Sequence, residues 1–226
     1  MKHLLFIVAI VYGLLLIGCA RTEGTLDIAG NVLDEYTKTG IPNRIVIVQG
    51  LLYSDSDLTP TVDIGRFYTD SCGSFTYSLK KTKNVYWYNF IFVGDSTYTY
   101  STQAISLAEI EGNSKSLYFS LEKFTDFTIK IERSNNTAPT DTLFISWKTD
   151  GTDGRIYPHR VINYGKAHDY EFRWTGANVK SLIETKTIAN KNTIVYMYLF
   201  SKRGLQQMSD TIFCIRDVKN YFTIKY

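Results

Sequence analysis

"TDSCGSFTYSL" (69–79) reads as a tight turn that feeds a strand. Asp70 to Gly73 reverses the chain, and Gly73 is free to take the positive φ that such a turn needs. Phe75, Tyr77 and Leu79 then alternate onto one face, the period of a half-buried strand. Upstream, "IAGNVLDEYTKTGIPNRIVIVQG" (28–50) repeats the scheme: Gly40-Ile41-Pro42 turns the chain between two alternating runs, with Pro42 removing a donor where none is needed.

The same punctuation recurs along all 226 residues, which include 17 Tyr and 13 Phe, a composition that favours β structure. Strands are expected at 25–33, 44–50, 62–68, 74–80, 85–93, 97–102, 116–122 and 126–133. Further ones are expected at 142–148, 170–175, 179–184, 193–201, 211–215 and 220–225. Only "QAISLAEIE" (103–111) has room for a short helical turn. Strands at this spacing imply an all-β chain of sandwiches, not βαβ units. The length suits one large domain or two small ones.

Together the two opening stretches resemble the carboxypeptidase-regulatory-like, or transthyretin-like, β-sandwich family. The matching residues are Gly30, Val32 and Asp34; Thr39, Gly40 and Pro42; Val46 and Val48; and Thr69, Asp70, Gly73 and Phe75. The resemblance covers about 24–123. Asn43-Arg44 replaces the usual small residue after the turn, and 51–61 is an inserted-looking polar loop. The resemblance implies an accessory, non-catalytic module over 25–123. A boundary is expected near Glu122–Thr125, followed by a second sandwich over 124–226. Its immunoglobulin-like topology is inferred from strand spacing alone. Within it, 127–149 reads as a hairpin around a polar loop, and 192–217 as another that turns at Lys202–Gly204.

Residues 1–18 read as an export signal, with Lys2 ahead of a charge-free apolar run too short for a membrane span. The run ends in Leu16-Ile17-Gly18-Cys19, which resembles a bacterial lipobox. That implies cleavage before Cys19, a diacylglycerol on its thiol, and a tether over 19–24. The membrane partner is then the lipid on Cys19, since several acyl chains give lasting attachment. An ordinary secretory signal with a chance cysteine is the competing reading. Ala20 in place of Asp favours the outer membrane and leaves open which side the chain faces.

Removal of 1–18 takes away one counted charge, Lys2, and leaves a net charge of +2 (24 − 22). Near-neutrality argues against a nucleic-acid partner, which wants a basic stripe. Cys72 and Cys214 remain, either bridged in an oxidising compartment or as two separate thiols.

Chemistry-bearing groups are sparse. His159 and His168 share no metal-like spacing with Cys, so no metal site is expected. There is no phosphate loop and no nucleophile elbow. Glu109 and Glu111 read as solubilising charge, and Asp150 and Asp153 as a two-turn connection lacking a calcium loop's run of acids. No catalytic residue and no cofactor are expected.

The aromatics are more informative. "VYWYNFIFV" (85–93) places Tyr86, Tyr88, Phe90 and Phe92 on one face and Val85, Trp87, Asn89, Ile91 and Val93 on the other, as for a strand between two layers. The same is expected of 195–200. Tyr98 and Tyr100 alternate with Thr, so one face is wet and they are the candidate ligand contacts, with Trp147 and Trp174 near strand ends. Asp95-Ser96-Thr97, Asp141-Thr142-Leu143 and Asp210-Thr211-Ile212 resemble the short O-glycosylation pattern of exported proteins in some gram-negative bacteria, which implies sugars on Ser96, Thr142 and Thr211.

The reading is a non-catalytic, lipid-anchored binding or scaffold module that meets an unidentified protein or glycan through loops such as 51–61 and 149–169. The alternative is a structural subunit of a surface fibre, since some fimbrial lipoproteins also place two transthyretin-like sandwiches after a lipobox.

Overall fold

The computed structural model describes residues 24–52, 60–134, 137–152, 159–164, 168–169 and 172–226. They form sixteen strands and one short helix. The chain divides into two compact units. One takes the described residues up to Leu33, with Thr39–Val93 and Ser101–Phe119. The other takes Asp34–Lys38, Gly94–Tyr100 and Ser120–Tyr226.

The first unit is built on β1 (Gly24–Asp34), β2 (Ile45–Leu52), β3 (Thr61–Tyr68), β4 (Ser74–Lys81), β5 (Val85–Phe92), β6 (Ser101–Ser106), the helix α1 (Leu107–Gly112) and β7 (Leu117–Leu121). Two sheets result, in the orders β4-β1-β7 and β3-β2-β5-β6. Their inner faces meet through rings: Phe67 stacks on Phe75 at 4.6 Å, while Phe90 and Phe92 lie 5.0 and 4.9 Å from Phe119. Burying each such side chain stabilises the unit by roughly 1.5–3 kcal/mol.

The stretches 28–50 and 69–79 come together here. The amide of Val32 donates to the Gly73 carbonyl, and that of Ile41 donates to Val32. Thr69 Oγ1 accepts from the Arg44 amide and donates to the Ile41 carbonyl. Asp70 Oδ1 accepts from the amides of Cys72 and Ser74, which closes the turn, with Gly73 at φ +79°. Gly40 must be glycine because a Cβ there would lie 1.8 Å from the Cys72 carbonyl oxygen.

Strand β5 departs from simple alternation. Val85, Tyr88, Phe90 and Phe92 are buried, while Tyr86 and Trp87 are both exposed. The pairing with β2 skips Tyr86, and this bulge flips the phase of the strand's first residues. The opposite face is not covered by a second layer: Val93 is exposed, and Asn89 and Ile91 are half-buried. The expected strand at 97–102 is instead a turn, because Asp95 Oδ1 accepts from the amides of Thr97 and Tyr98. The strand starts at Ser101 and runs into α1, which Ser106 caps by accepting from the Glu109 amide.

The second unit contains β8 (Phe124–Glu132), β9 (Thr142–Thr149), β10 (Arg160–Asn163), β11 (His168–Asp169), β12 (Arg173–Thr175), β13 (Lys180–Ile188), β14 (Lys191–Ser201), β15 (Gly204–Cys214) and β16 (Asn220–Lys225). The sheet orders are β10-β13-β8-β16 and β11-β12-β9-β14-β15. Between them lies a core of Phe127, Ile129, Ile131, Ile183 and Ile224 from the first sheet and Leu143, Ile145, Trp147, Trp174 and Val195 from the second. The expected hairpin over 127–149 is therefore an arch, since β8 and β9 belong to different sheets. The hairpin turning at Lys202–Gly204 is present, as β14 and β15. Tyr196 and Tyr198 are half-buried and Phe200 is exposed, so β14 too has one covered face rather than two.

Candidate functional site

The most distinctive feature of the second unit is the edge strand β15. Among the described residues it pairs with β14 alone, over eleven residues from Gly204 to Cys214. Every residue from Gly204 to Thr211 is exposed, so both faces of the strand are open there. The local sequence explains this: "GLQQMSD" (204–210) supplies Gln206, Ser209 and Asp210 where a covered strand would alternate polar with apolar.

The hairpin geometry shows which backbone groups face away from β14. Ser201 and Gly204 close the turn, and pairing runs without a shift to Lys191 opposite Cys214. In an antiparallel ladder alternate residues bond to the neighbour. Gly204, Gln206, Met208, Asp210, Ile212 and Cys214 therefore face β14. Leu205, Gln207, Ser209, Thr211 and Phe213 turn their amides and carbonyls to the open edge, where the Thr211 amide donates to Asp210 Oδ1 at 2.7 Å. The other sheet edges of this unit are shorter or charged. Strands β11 and β10 have two and four residues, and β16 carries Lys225. Within β15 the only charged residue is Asp210. Long, weakly charged edges invite another strand.

The outer face beside this edge is aromatic. Phe144 lies opposite Tyr198 with ring centroids 6.1 Å apart, and Lys148 Nζ sits 5.8 Å from the Tyr196 ring centre. Phe200 pairs with Leu205, and Asn192 with Phe213.

A second cluster, also within this unit, surrounds the turn from β15 to β16. Asn220 Nδ2 donates to the carbonyls of Asp126, Ile215 and Val218, and Thr125 Oγ1 donates to Ile215 and Val218. The turn so fixed presents Arg216, whose two terminal nitrogens donate to Asp34 Oδ1 and Oδ2 at 2.7 and 2.8 Å. Tyr98 OH donates to Oδ2 at 3.1 Å, and the amides of Tyr36 and Thr37 donate to Oδ1. Burial opposes the charge on Asp34, but the Arg216 and backbone hydrogen bonds outweigh it and hold the carboxyl well below the usual carboxylate range. With five donors on two oxygens, Asp34 is a clamp and has no lone pair left for acid–base work.

The structure sorts the residues singled out in the sequence. Tyr98 is half-buried with its hydroxyl committed to Asp34, so it does not offer an open ring beside the exposed Tyr100. Trp147 and Trp174 are core residues, not exposed platforms. Ser96 and Thr211 are exposed and Thr142 is half-buried. Cys72 and Cys214 are both free thiols, the first exposed and the second buried. Cys19, Asp153, residues 53–59 of the expected loop 51–61, and 153–158 and 165–167 of the expected loop 149–169 lie outside the described residues, and 149–169 includes the strands β10 and β11. Among the described residues no group of three His, Cys, Asp or Glu is placed to hold a metal ion, and no helix is long and apolar enough to cross a membrane. The sequence pattern predicts a strand only over 211–215 of β15, because exposure on both faces erases the alternation that marks one.

No family model matches the chain, and no curated protein matches it. Among solved structures, it is similar to the shaft pilin SpaA from Lactobacillus rhamnosus GG at 11% identity, covering 89% of this chain and 98% of that one with a TM-score of 0.34. It is similar to a streptococcal ancillary pilin at 11% identity, covering 89% and 62%, with a TM-score of 0.40. It is also similar to BcpA, the major pilin subunit of Bacillus cereus, at 7% identity, covering 85% and 69%, with a TM-score of 0.29.

Proposed function

We propose that this chain is a non-catalytic structural subunit of the bacterial cell envelope, held by lipid on Cys19 and joined to a neighbour by strand addition at β15. The observation that carries the reading is an eleven-residue edge strand, open on both faces over Gly204–Thr211 and crossed by a single charge. Main-chain hydrogen bonds along such an edge supply affinity without a pocket or a catalytic group. The contact of Gly40 with the Cys72–Gly73 turn supports the transthyretin-like reading of the first unit. The resemblance of Leu16–Cys19 to a lipobox supports lipid anchoring, and Ala20 in place of Asp supports the outer membrane. Ser96, whose residue reaches solvent away from the β15 edge, is the better O-glycosylation acceptor.

The test is the mass of the full anchored chain extracted in mild detergent. Wild type sediments as an assembly, and Gln207→Pro sediments as a monomer. Residue 207 turns its amide outward, so proline leaves the β14 ladder intact while blocking the edge. A wild-type chain that is monomeric at all concentrations contradicts the proposal.

A further inference from the structure

We infer that the occupant of the β15 edge is β15 of a second copy of this chain, paired antiparallel about a two-fold axis at Ser209. The inference rests on the assembly reading above and names its partner and register.

The register follows from which backbone groups face away from β14; pairing takes the Thr211 amide over from Asp210 Oδ1. Leu205, Gln207, Ser209, Thr211 and Phe213 form a run of outward-facing residues whose centre is Ser209. An antiparallel pair of identical strands must place its two-fold on a residue paired with itself. Centred on Ser209, every outward residue finds an outward partner: Leu205 opposite Phe213, Gln207 opposite Thr211, and Ser209 opposite Ser209. Moving the axis one outward residue along, to Gln207 or Thr211, leaves two of the five unpaired. Centring on Met208 or Asp210 leaves one unpaired.

The side chains agree with this register. Leu205 and Phe213 are 49% and 55% exposed on the same face of the sheet, and the pairing sets them against each other twice. Gln207 meets Thr211, so polar meets polar. Asp210 faces Met208, which is 43% exposed, and so the two Asp210 carboxylates are not set opposite each other. The five-stranded sheet β11-β12-β9-β14-β15 thereby becomes a ten-stranded sheet with its aromatic outer face continuous across the seam. Isologous pairing closes on itself, so the product is a dimer and not an open filament.

The test uses the full anchored chain with Cys72→Ser, which removes the exposed thiol. In that background Ser209→Cys places two thiols on the axis. Directly opposed residues of a hydrogen-bonded antiparallel pair have Cα atoms about 5.5 Å apart, inside the roughly 4.4–6.8 Å that a disulfide spans. Mild oxidation is expected to give a covalent dimer at least about tenfold more abundant than Tyr221→Cys, an exposed control on β16. Adding Gln207→Pro is expected to abolish it. Equal cross-linking of Ser209→Cys and Tyr221→Cys overturns the inference, as does a dimer that survives Gln207→Pro. If Ser209→Cys fails to cross-link while Gln207→Pro still disperses the wild-type assembly, the two-fold pairing falls and strand addition by another partner stands. If Gln207→Pro changes nothing, both fall.

Discussion

Asp34 and Arg216 form a two-point ion pair, at 2.7 and 2.8 Å, across 182 positions of sequence. Asp34 is 1% exposed, so its charge is supported by its donors and not by water. Removing one partner of a buried pair typically costs about 3–5 kcal/mol, since the other charge is left uncompensated. Arg216→Met is expected near the lower end, about 3 kcal/mol, because Tyr98 and two amides still donate to Asp34. Chemical denaturation at pH 7 measures it, and a loss below about 1 kcal/mol would show the pair to be incidental.

The pH dependence has a fixed sign. Asp34 has a depressed carboxyl pKa in the folded chain. Its stabilisation is fully present above the ordinary carboxylate value, near ~3.9, and is lost as pH falls below that toward the folded value. The gap in stability between wild type and Arg216→Met should thus be widest at neutral pH and narrow toward pH ~3, where the unpaired carboxyl of the variant takes up a proton. A gap constant from pH 7 to 3 would remove Asp34 from the explanation.

Gly40 and Gly112 make a matched pair for backbone packing. A Cβ at Gly40 would meet the Cys72 carbonyl at 1.8 Å, whereas one at Gly112 meets nothing within 4 Å. Gly40→Ala is expected to destabilise the chain by about 3 kcal/mol or more, and Gly112→Ala to be neutral or to stabilise by up to about 1 kcal/mol. Thermal unfolding of the two variants decides it, and equal melting temperatures would refute the close approach.

The two free thiols should differ sharply in reactivity. Burial pushes the Cys214 thiol up, only partly offset by its hydrogen bond to Thr193. Cys72 lies exposed on the turn beside Gly73. A maleimide is expected to modify Cys72 within minutes and Cys214 only in denaturant, read by peptide mass. Labelling of both in the native chain would mean that the end of β15 opens.

Much of this architecture is legible in the sequence, and the exceptions have physical causes. Phe75, Leu79, Phe90 and Phe92 alternate because one face is buried, and strands with that pattern fall where the alternation puts them. Tyr86 lands on the wrong face because a bulge is a property of two paired strands. The turn at Asp95 was hidden by the alternation of Tyr98 and Tyr100 with Thr, which Asp95 overrides by capping two amides. The Asp34–Arg216 clamp joins groups far apart along the chain, and no local pattern announces it. Most of β15 escaped because its edge is open, which is the same property that makes it the assembly surface.

The most direct measurement is residue-resolved amide exchange across 204–214 in the assembled full chain. The account predicts slow exchange at Gly204, Gln206, Met208, Asp210 and Ile212 in every form, since these amides bond to β14. It predicts slow exchange at Leu205, Gln207, Ser209 and Phe213 in the assembly, and fast exchange at Leu205, Ser209 and Phe213 in Gln207→Pro; the Thr211 amide, which donates to Asp210 Oδ1 in the single chain, is left out of the comparison. Fast exchange at the outward amides of the wild-type chain at concentrations where it is assembled would contradict it, because the edge would then be open and the assembly held elsewhere.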